Sequence, residues 1–586
     1  MIYGREARAG SQFVFERFHP IRGAFRQHLN PTVVEILYVT HDLMARGGPL
    51  REETVTHALH LATDKKPTRN WRHIRQIEFN TSTVGVQSED RENQRNFFLS
   101  EAVTWRKLGQ RSQIRTINFA IRKLSSARLS RMISTRKLAA ALLALISVAI
   151  CLPSASAKPV EVPVVYYKLP NGLKVVISED HVAPVVTVGV YYNVGFRVEP
   201  KGRTGFAHLF EHMMFQGSAN VKKFEHAKYV EANGGSTNGH TDFDYTNYYE
   251  TLPSNRVETG LWLESDRMRS LDISEENLKN QQNVVSEEIR VNVLNTPYQF
   301  FEWIDLWQNA FTNWNNSHNG YGDLAEVNAA TIQDVRNFFK TFYAPNNAVL
   351  TIVGDVDANE VKRMVEKHFA GIPQQPTPPP PDLAEPAQTK EKRVNEKDKL
   401  ANLPALATGY HIPAQSSPDF PAMALLVQIL QGDDSSRWYQ RLVKEKELTL
   451  DLSGGLNYFG NEFDYNGPMI MTTRTTYKPG HTADEVVREM DAVIAELVAK
   501  GITEKELADA KVRYRSNFYN QLESTYGKTH LLSVLALFRD DPKQINSLLS
   551  PFEQVTAQQI RDAAKKYLVA GNRTVIDRVP EAKAAE

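Results

Sequence analysis

The chain has 586 residues, 41% of them hydrophobic and 23% charged, with a formal net charge of +1. That length exceeds one ordinary core, so two or more domains are expected. The balanced charge makes no case for a nucleic-acid partner, and a single cysteine excludes a disulfide framework.

The charge is unevenly spread. Residues 1–131 hold 18 Arg and 4 Lys against 12 acidic residues, a balance of +10 that leaves −9 for the remainder. No helical or strand period persists there. Next come Arg136 and Lys137, an apolar stretch over 138–152, and Ala155-Ser156-Ala157. These follow one another as the basic region, apolar region and cleavage site of a secretory signal peptide, residues 132–157. The apolar stretch is shorter than the roughly 20 residues that span a bilayer, so no stable membrane span is expected after signal removal. A signal peptide belongs at an N-terminus. Translation is therefore expected to start at Met132, with the basic extension 1–131 not made; the alternative is a cytoplasmic extension ahead of a membrane anchor. Cys151 lies inside the apolar stretch and follows Ile150, not the small residue of a lipoprotein signal. A mature chain from Lys158 has no cysteine, which suits a periplasmic or secreted protein and excludes cysteine-ligated zinc.

From there on, strand and helix patterns mix. "VVYYKLPNGLKVVIS" predicts a hairpin about Asn171-Gly172, and "PVVTVGVYYNVG" a buried strand. "TIQDVRNFFKTFYAPNNAVLTIVG" predicts an amphipathic helix, a turn with Pro345 and a strand ending at Gly354. This unit recurs as "TAQQIRDAAKKYLVAGNRTVIDR", 225 residues later, with Thr331 and Thr556 as N-caps and Val335 and Ile560 facing the core. "ISEENLKNQQNVVSEEIR" recurs as "ITEKELADAKVRYRSNFY" at an offset of 229, where Thr503 and Glu506 form a capping box. Two agreeing offsets point to internal duplication. The fold class predicted is α+β: two homologous α/β halves, 165–370 and 395–580, joined by a proline-rich linker over 371–394.

The chemistry gathers in "GFAHLFEHMMFQGS", which places His208, Glu211 and His212 within five positions. On a helix, His208 and His212 share one face and can present both imidazoles to one ion. Glu211 can then reach the ion's open position without ligating it, the H-x-x-E-H arrangement of a zinc helix. The bland alternative is a helix whose histidines are merely hydrogen-bonded near the surface. A hydrolytic site needs a third protein ligand, and "QQNVVSEEIRVNVLN" offers Glu287 and Glu288 on a predicted helix.

With these motifs the chain resembles the pitrilysin and insulysin type of zinc metallopeptidases. It is most similar to the branch of mitochondrial processing peptidase and short bacterial zinc proteases. In that family the third ligand is a Glu some 76 residues past the second His, before an apolar residue. Glu288, followed by Ile289, stands there; Glu287 does not. The resemblance implies one Zn2+ per chain held by His208, His212 and Glu288, with Glu211 as catalytic base. It implies peptide substrates bound along an edge strand at "STNGHT", with Asn238 touching substrate and Gly239 in place of the usual Ala. His226 and His240 are read as bland surface residues. By the 229 offset Glu288 corresponds to Asn517, and no H-x-x-E-H follows residue 400, so the second half is expected to lack metal ligands.

Two departures stand out. Many members carry an Arg and a Tyr in the second half that reach the reaction centre; here Lys444 and Leu450 occupy those positions. An upstream Glu of the family appears as Gln281. The departures imply a metal-bearing subunit paired with a related chain that supplies the Arg and Tyr, or a homodimer. The competing function class is a non-catalytic binding or assembly subunit of the same fold.

Overall fold

The computed structural model describes residues 161–581, so the expected extension and signal peptide lie outside the described residues. The hairpin forms as expected from β1 (Val165–Lys168) and β2 (Lys174–Glu179), with Gly172 at φ 86° in its turn. The Asn171 side chain donates to the carbonyls of Phe369 and Ile372 at 2.9 Å each, tying the turn to the end of the first half.

Six strands make the first sheet: β1, β2, β3 (Val185–Tyr192), β4 (Ser236–Thr241), β5 (Thr246–Pro253) and β6 (Ala348–Gly354). Their spatial order is β1-β2-β6-β3-β5-β4, which leaves β4 with an open edge. The second sheet contains β7 (Lys392–Asp398), β8 (Ala405–His411), β9 (Ser453–Gly455), β10 (Ile470–Thr476) and β11 (Arg573–Pro580) in the order β7-β11-β8-β10-β9. Without β1, the first sheet has the same plan. In each, the last strand runs parallel to the first and antiparallel to the second.

The helices of the first half that matter here are α1 (Phe206–Met213), α2 (Glu225–Ala232), α3 (Val257–Ser270), α4 (Glu275–Glu288), α5 (Ile304–Ala310) and α6 (Ile332–Phe342). Those of the second half that matter here are α7 (Phe420–Gln431), α8 (Ala483–Lys500), α9 (Glu504–Gln521), α10 (Thr525–Arg539) and α11 (Ala557–Tyr567). The repeated caps are present. Thr331 with Asp334, and Thr556 with Gln559, close capping boxes on α6 and α11, while Val335 and Ile560 are fully buried. Thr503 with Glu506 does the same on α9.

The halves also exchange helices. α10 packs on β3 and β6 of the first sheet, and α5 on β8 and β11 of the second. A Cβ at Gly189 would lie 2.9 Å from the Thr529 methyl group, so glycine in β3 permits that close approach. Polar contacts line the seam: Ser533 to Thr351 at 2.8 Å, Thr187 to Thr525 at 2.8 Å, and Tyr191 to His530 at 3.1 Å. Arg578 on β11 pairs with Asp305 of α5.

A third feature joins the halves. Tyr298, Gln299 and Phe300 have φ of 67°, 54° and 53°. None is a residue that favours the left-handed region, and each costs about 1–2 kcal/mol there. The turn is held by Asp398, which accepts from the Tyr298 N–H at 2.7 Å, and Arg578, which donates to the Tyr298 carbonyl at 2.8 Å. Among the described residues no helix is long and apolar enough to cross a membrane.

Candidate metal centre

α1 is eight residues long and follows its N-cap Gly205, which sits at φ 78°. A Cβ on Gly205 would fall 2.4 Å from the Gly322 Cα, so two glycines bring the loop around Tyr321 against the start of this helix. The free N–H groups of its first turn are met by the buried Glu199 carboxylate, which accepts from Gly205 at 3.0 Å and Ala207 at 2.7 Å. Glu199 is also bonded to His318 Nε2 at 3.0 Å. Burial works against a charged His318, but the Glu199 carboxylate outweighs it and raises its pKa. A negative group at a helix N-terminus is favourable on dipole grounds as well.

α1 buries Phe206, Leu209, Phe210 and Met213, which turns His208 and His212 toward a half-open face. α4 packs against α1 and ends at Glu288. His208 Nε2 is 3.6 Å from Glu288 Oε1, and His212 Nε2 is 3.3 Å from Glu288 Oε2. The donor atoms of all three residues lie within 4.8 Å of one another. Bond lengths of 2.0–2.1 Å put tetrahedral zinc ligands about 3.4 Å apart, so this donor set fits a zinc ion. Burial lowers His208 toward the neutral imidazole a metal needs. His212 is raised by its Glu288 partner against the effect of burial and would give up a proton on metal binding. Burial would raise Glu288, but the imidazoles and the Tyr321 hydroxyl outweigh it and hold the carboxyl at about 2.

Tyr321 holds both ends of this set. Its hydroxyl donates to Glu288 Oε1 at 2.9 Å, and its carbonyl lies 3.4 Å from His208 Nδ1, the ring nitrogen turned away from Glu288. That contact favours the tautomer that leaves Nε2 free to ligate. The sequence reading missed Tyr321; "NGYG" marks a turn, and nothing local says where the turn lies. It also left Thr241 unassigned, although Thr241 donates to Glu211 Oε2 at 2.7 Å. Thr241 in turn lies 3.4 Å from the Thr246 hydroxyl, which is bonded to the Val194 carbonyl. Glu287 points elsewhere and pairs with Arg290 on the surface. Gln281 is buried and donates from Nε2 to Asn280 Oδ1 at 2.8 Å.

The residues proposed for substrate lie beside α1 on the open-edged β4. Asn238 is exposed. Gly239 lies over Tyr248, where a Cβ would come within 3.1 Å of the ring. From the second half, Phe459 packs on Trp303 at 4.4 Å and faces His240 at 6.1 Å. Leu450 is half exposed, and the Lys444 ammonium sits over Tyr439.

His226 is not the surface residue that was expected. It is 4% exposed, and its Nε2 meets Glu250 Oε1 at 2.8 Å. Burial and Arg267 push its pKa down to about 3. Glu250 and Glu264 share Arg267, which already supplies the positive charge, so this buried group has no need of a metal. Its polar partner Glu250 lies 24 positions away in sequence, and the Phe215 ring lies 6.3 Å from the imidazole. His240, the other residue read as bland, is 42% exposed at the side chain and lies 3.9 Å from the buried Asp242.

Comparison with known proteins agrees with this geometry. The profile described as "Insulinase (Peptidase family M16)" matches residues 174–305, and "Peptidase M16 inactive domain" matches 329–514. The zinc protease PqqE of Helicobacter pylori is 27% identical over 412 residues, covering 70% of this chain and 91% of that protein. A probable mitochondrial-processing peptidase subunit beta of Arabidopsis thaliana is 27% identical over 313 residues, covering 53% and 56% of the two chains. The crystal structure of a protease from Helicobacter pylori superposes with a TM-score of 0.67 at 25% identity, covering 72% of this chain and all of that one. With two M16 profiles matched over 174–305 and 329–514 and a His/Glu cluster that fits zinc, the chain belongs to the M16 insulinase and pitrilysin family of zinc metallopeptidases.

Proposed function

We propose that the protein is a zinc-dependent endopeptidase in which His208, His212 and Glu288 hold the metal and Glu211 is the general base. The observation that carries this reading is the gathering of three donors within 4.8 Å of one another with Glu211 on the same helix as two of them, held by Thr241 at the end of an open-edged strand. When bound, zinc supplies Lewis acidity toward the scissile carbonyl and the attacking water. Thr241 occupies Glu211 Oε2, which leaves Oε1 to take the proton of the attacking water and pass it to the leaving amine. β4 would add an extended peptide as a further strand, main chain to main chain, with Asn238 beside the substrate and Gly239 leaving space over Tyr248. Unfolded or short peptides satisfy this requirement, because their backbone N–H and C=O groups are free to pair.

The second half, 395–580, then serves as a wall of the reaction chamber, joined to the catalytic half, 165–370, through the linker 371–394. Leu450 has no group to donate to a developing oxyanion, which supports a partner chain, related or identical, supplying an Arg and a Tyr. The signal-peptide layout before Lys158 supports a periplasmic or secreted location.

The test is peptide hydrolysis beside zinc analysis for the protein and its Glu211→Gln variant. Loss of turnover with zinc retained is expected. Full activity in the variant would refute the assigned base, and a protein that never takes up zinc would favour a non-catalytic assembly role.

A further inference from the structure

The metal donors all belong to the first half, yet the segment that leads away from Glu288 is anchored in the second. We propose that Arg578, on β11, is a positioning residue for Glu288 and acts through the left-handed turn at 298–300; this rests on the ligand assignment above.

The physical path is continuous. After Glu288 the helix widens through Ile289–Leu294, and the chain then reaches the turn. Two groups of this segment set Tyr321 in place. Asn292 Nδ2 donates to the Tyr321 hydroxyl at 3.0 Å, and the Phe300 ring stacks on Tyr321 with centroids 6.2 Å apart and planes 17° apart. Tyr321 donates to Glu288 at 2.9 Å. The turn has no local reason to be left-handed, so its conformation is imposed by what holds it. Those holders are second-half groups. Asp398 takes the Tyr298 N–H, the Leu403 carbonyl takes the Tyr298 hydroxyl at 3.0 Å, and Arg474 lies over the Tyr298 ring at 5.3 Å. Arg578 is the hub: 8% exposed, it binds the Tyr298 carbonyl, Glu396 at 2.7 Å and Asp305, and lies 3.7 Å from Asp398. Its planar fork reaches the turn and the carboxylates together, which an ammonium cannot do. A copy of the fold without ligands thus has work at the metal centre, because it braces the third ligand from behind.

The test is zinc affinity, read by competition with a chromophoric chelator on the intact protein well below its melting temperature, with kcat and KM for a peptide measured alongside. Arg578→Lys, and Phe300→Ala as a variant that leaves the hub intact, are compared with Glu288→Gln. Both are expected to weaken zinc by about tenfold, the low end for outer partners of metal ligands, and to lower kcat with KM within about twofold. A merely structural Arg578 would shift the melting temperature and leave zinc affinity alone, which would overturn the inference provided Glu288→Gln does weaken zinc. If Glu288→Gln also leaves zinc affinity unchanged, the ligand assignment itself fails, and the inference with it.

Discussion

Tyr321 touches two of the three expected metal ligands at once, with its hydroxyl 2.9 Å from Glu288 Oε1 and its carbonyl 3.4 Å from His208 Nδ1. The hydroxyl orients the carboxylate, and the carbonyl sets the imidazole tautomer. Tyr321→Phe removes only the first contact. Zinc affinity is expected to fall about tenfold while the melting temperature stays within a few degrees, as measured by chelator competition and calorimetry. Unchanged affinity would show that Glu288 needs no such partner.

Thr241 holds Glu211 from the end of β4. Thr241→Val keeps the shape of a buried side chain and removes the hydrogen bond. Freed, the Glu211 carboxylate samples orientations that miss the water, so kcat is expected to fall ten- to roughly a hundredfold with KM and zinc content unchanged. A rise in KM alone would mean that Thr241 serves the strand and not the base.

Acid stability offers a test far from the site. Glu506 accepts from Arg437 Nε at 2.7 Å and Nη2 at 3.0 Å, and closes the Thr503 cap. Burial opposes its charge, but Arg437 and the Thr503 backbone outweigh it and hold the carboxyl at about 2, against an ordinary 4.5. A depressed folded-state pKa stabilises the fold above 4.5, and the gain disappears as pH falls toward 2. The melting temperatures of the protein and its Glu506→Gln variant are therefore expected to differ most near neutrality and to converge between about pH 4.5 and 2. One third of the side chain is exposed, so the full difference is on the order of 1 kcal/mol.

The exchanged helix tests the seam between halves. Gly189→Val would drive a side chain into Thr529, which sits 2.9 Å from the position of its Cβ. The expected cost is about 1–3 kcal/mol, seen as a lower denaturation midpoint in urea. An unaffected midpoint would mean that α10 moves away from the sheet without penalty.

Much of this is legible in the sequence alone. His208 and His212 four positions apart, the cap residues Thr331, Thr503 and Thr556, and the Asn171-Gly172 turn are local features, and local spacing determines them through helix periodicity and turn stereochemistry. The two repeat offsets carried the duplication, because each copy buries the same faces, as Val335 and Ile560 do. What only tertiary structure decided depends on residues far apart in the chain. No local pattern says that a buried His226 will meet Glu250, that Tyr321 will reach Glu288 across a glycine–glycine contact, or that α10 will cover the other half's sheet. Such pairings are chosen by how whole faces pack, since burying apolar surface is non-directional and each polar group then takes the partner that packing places within reach.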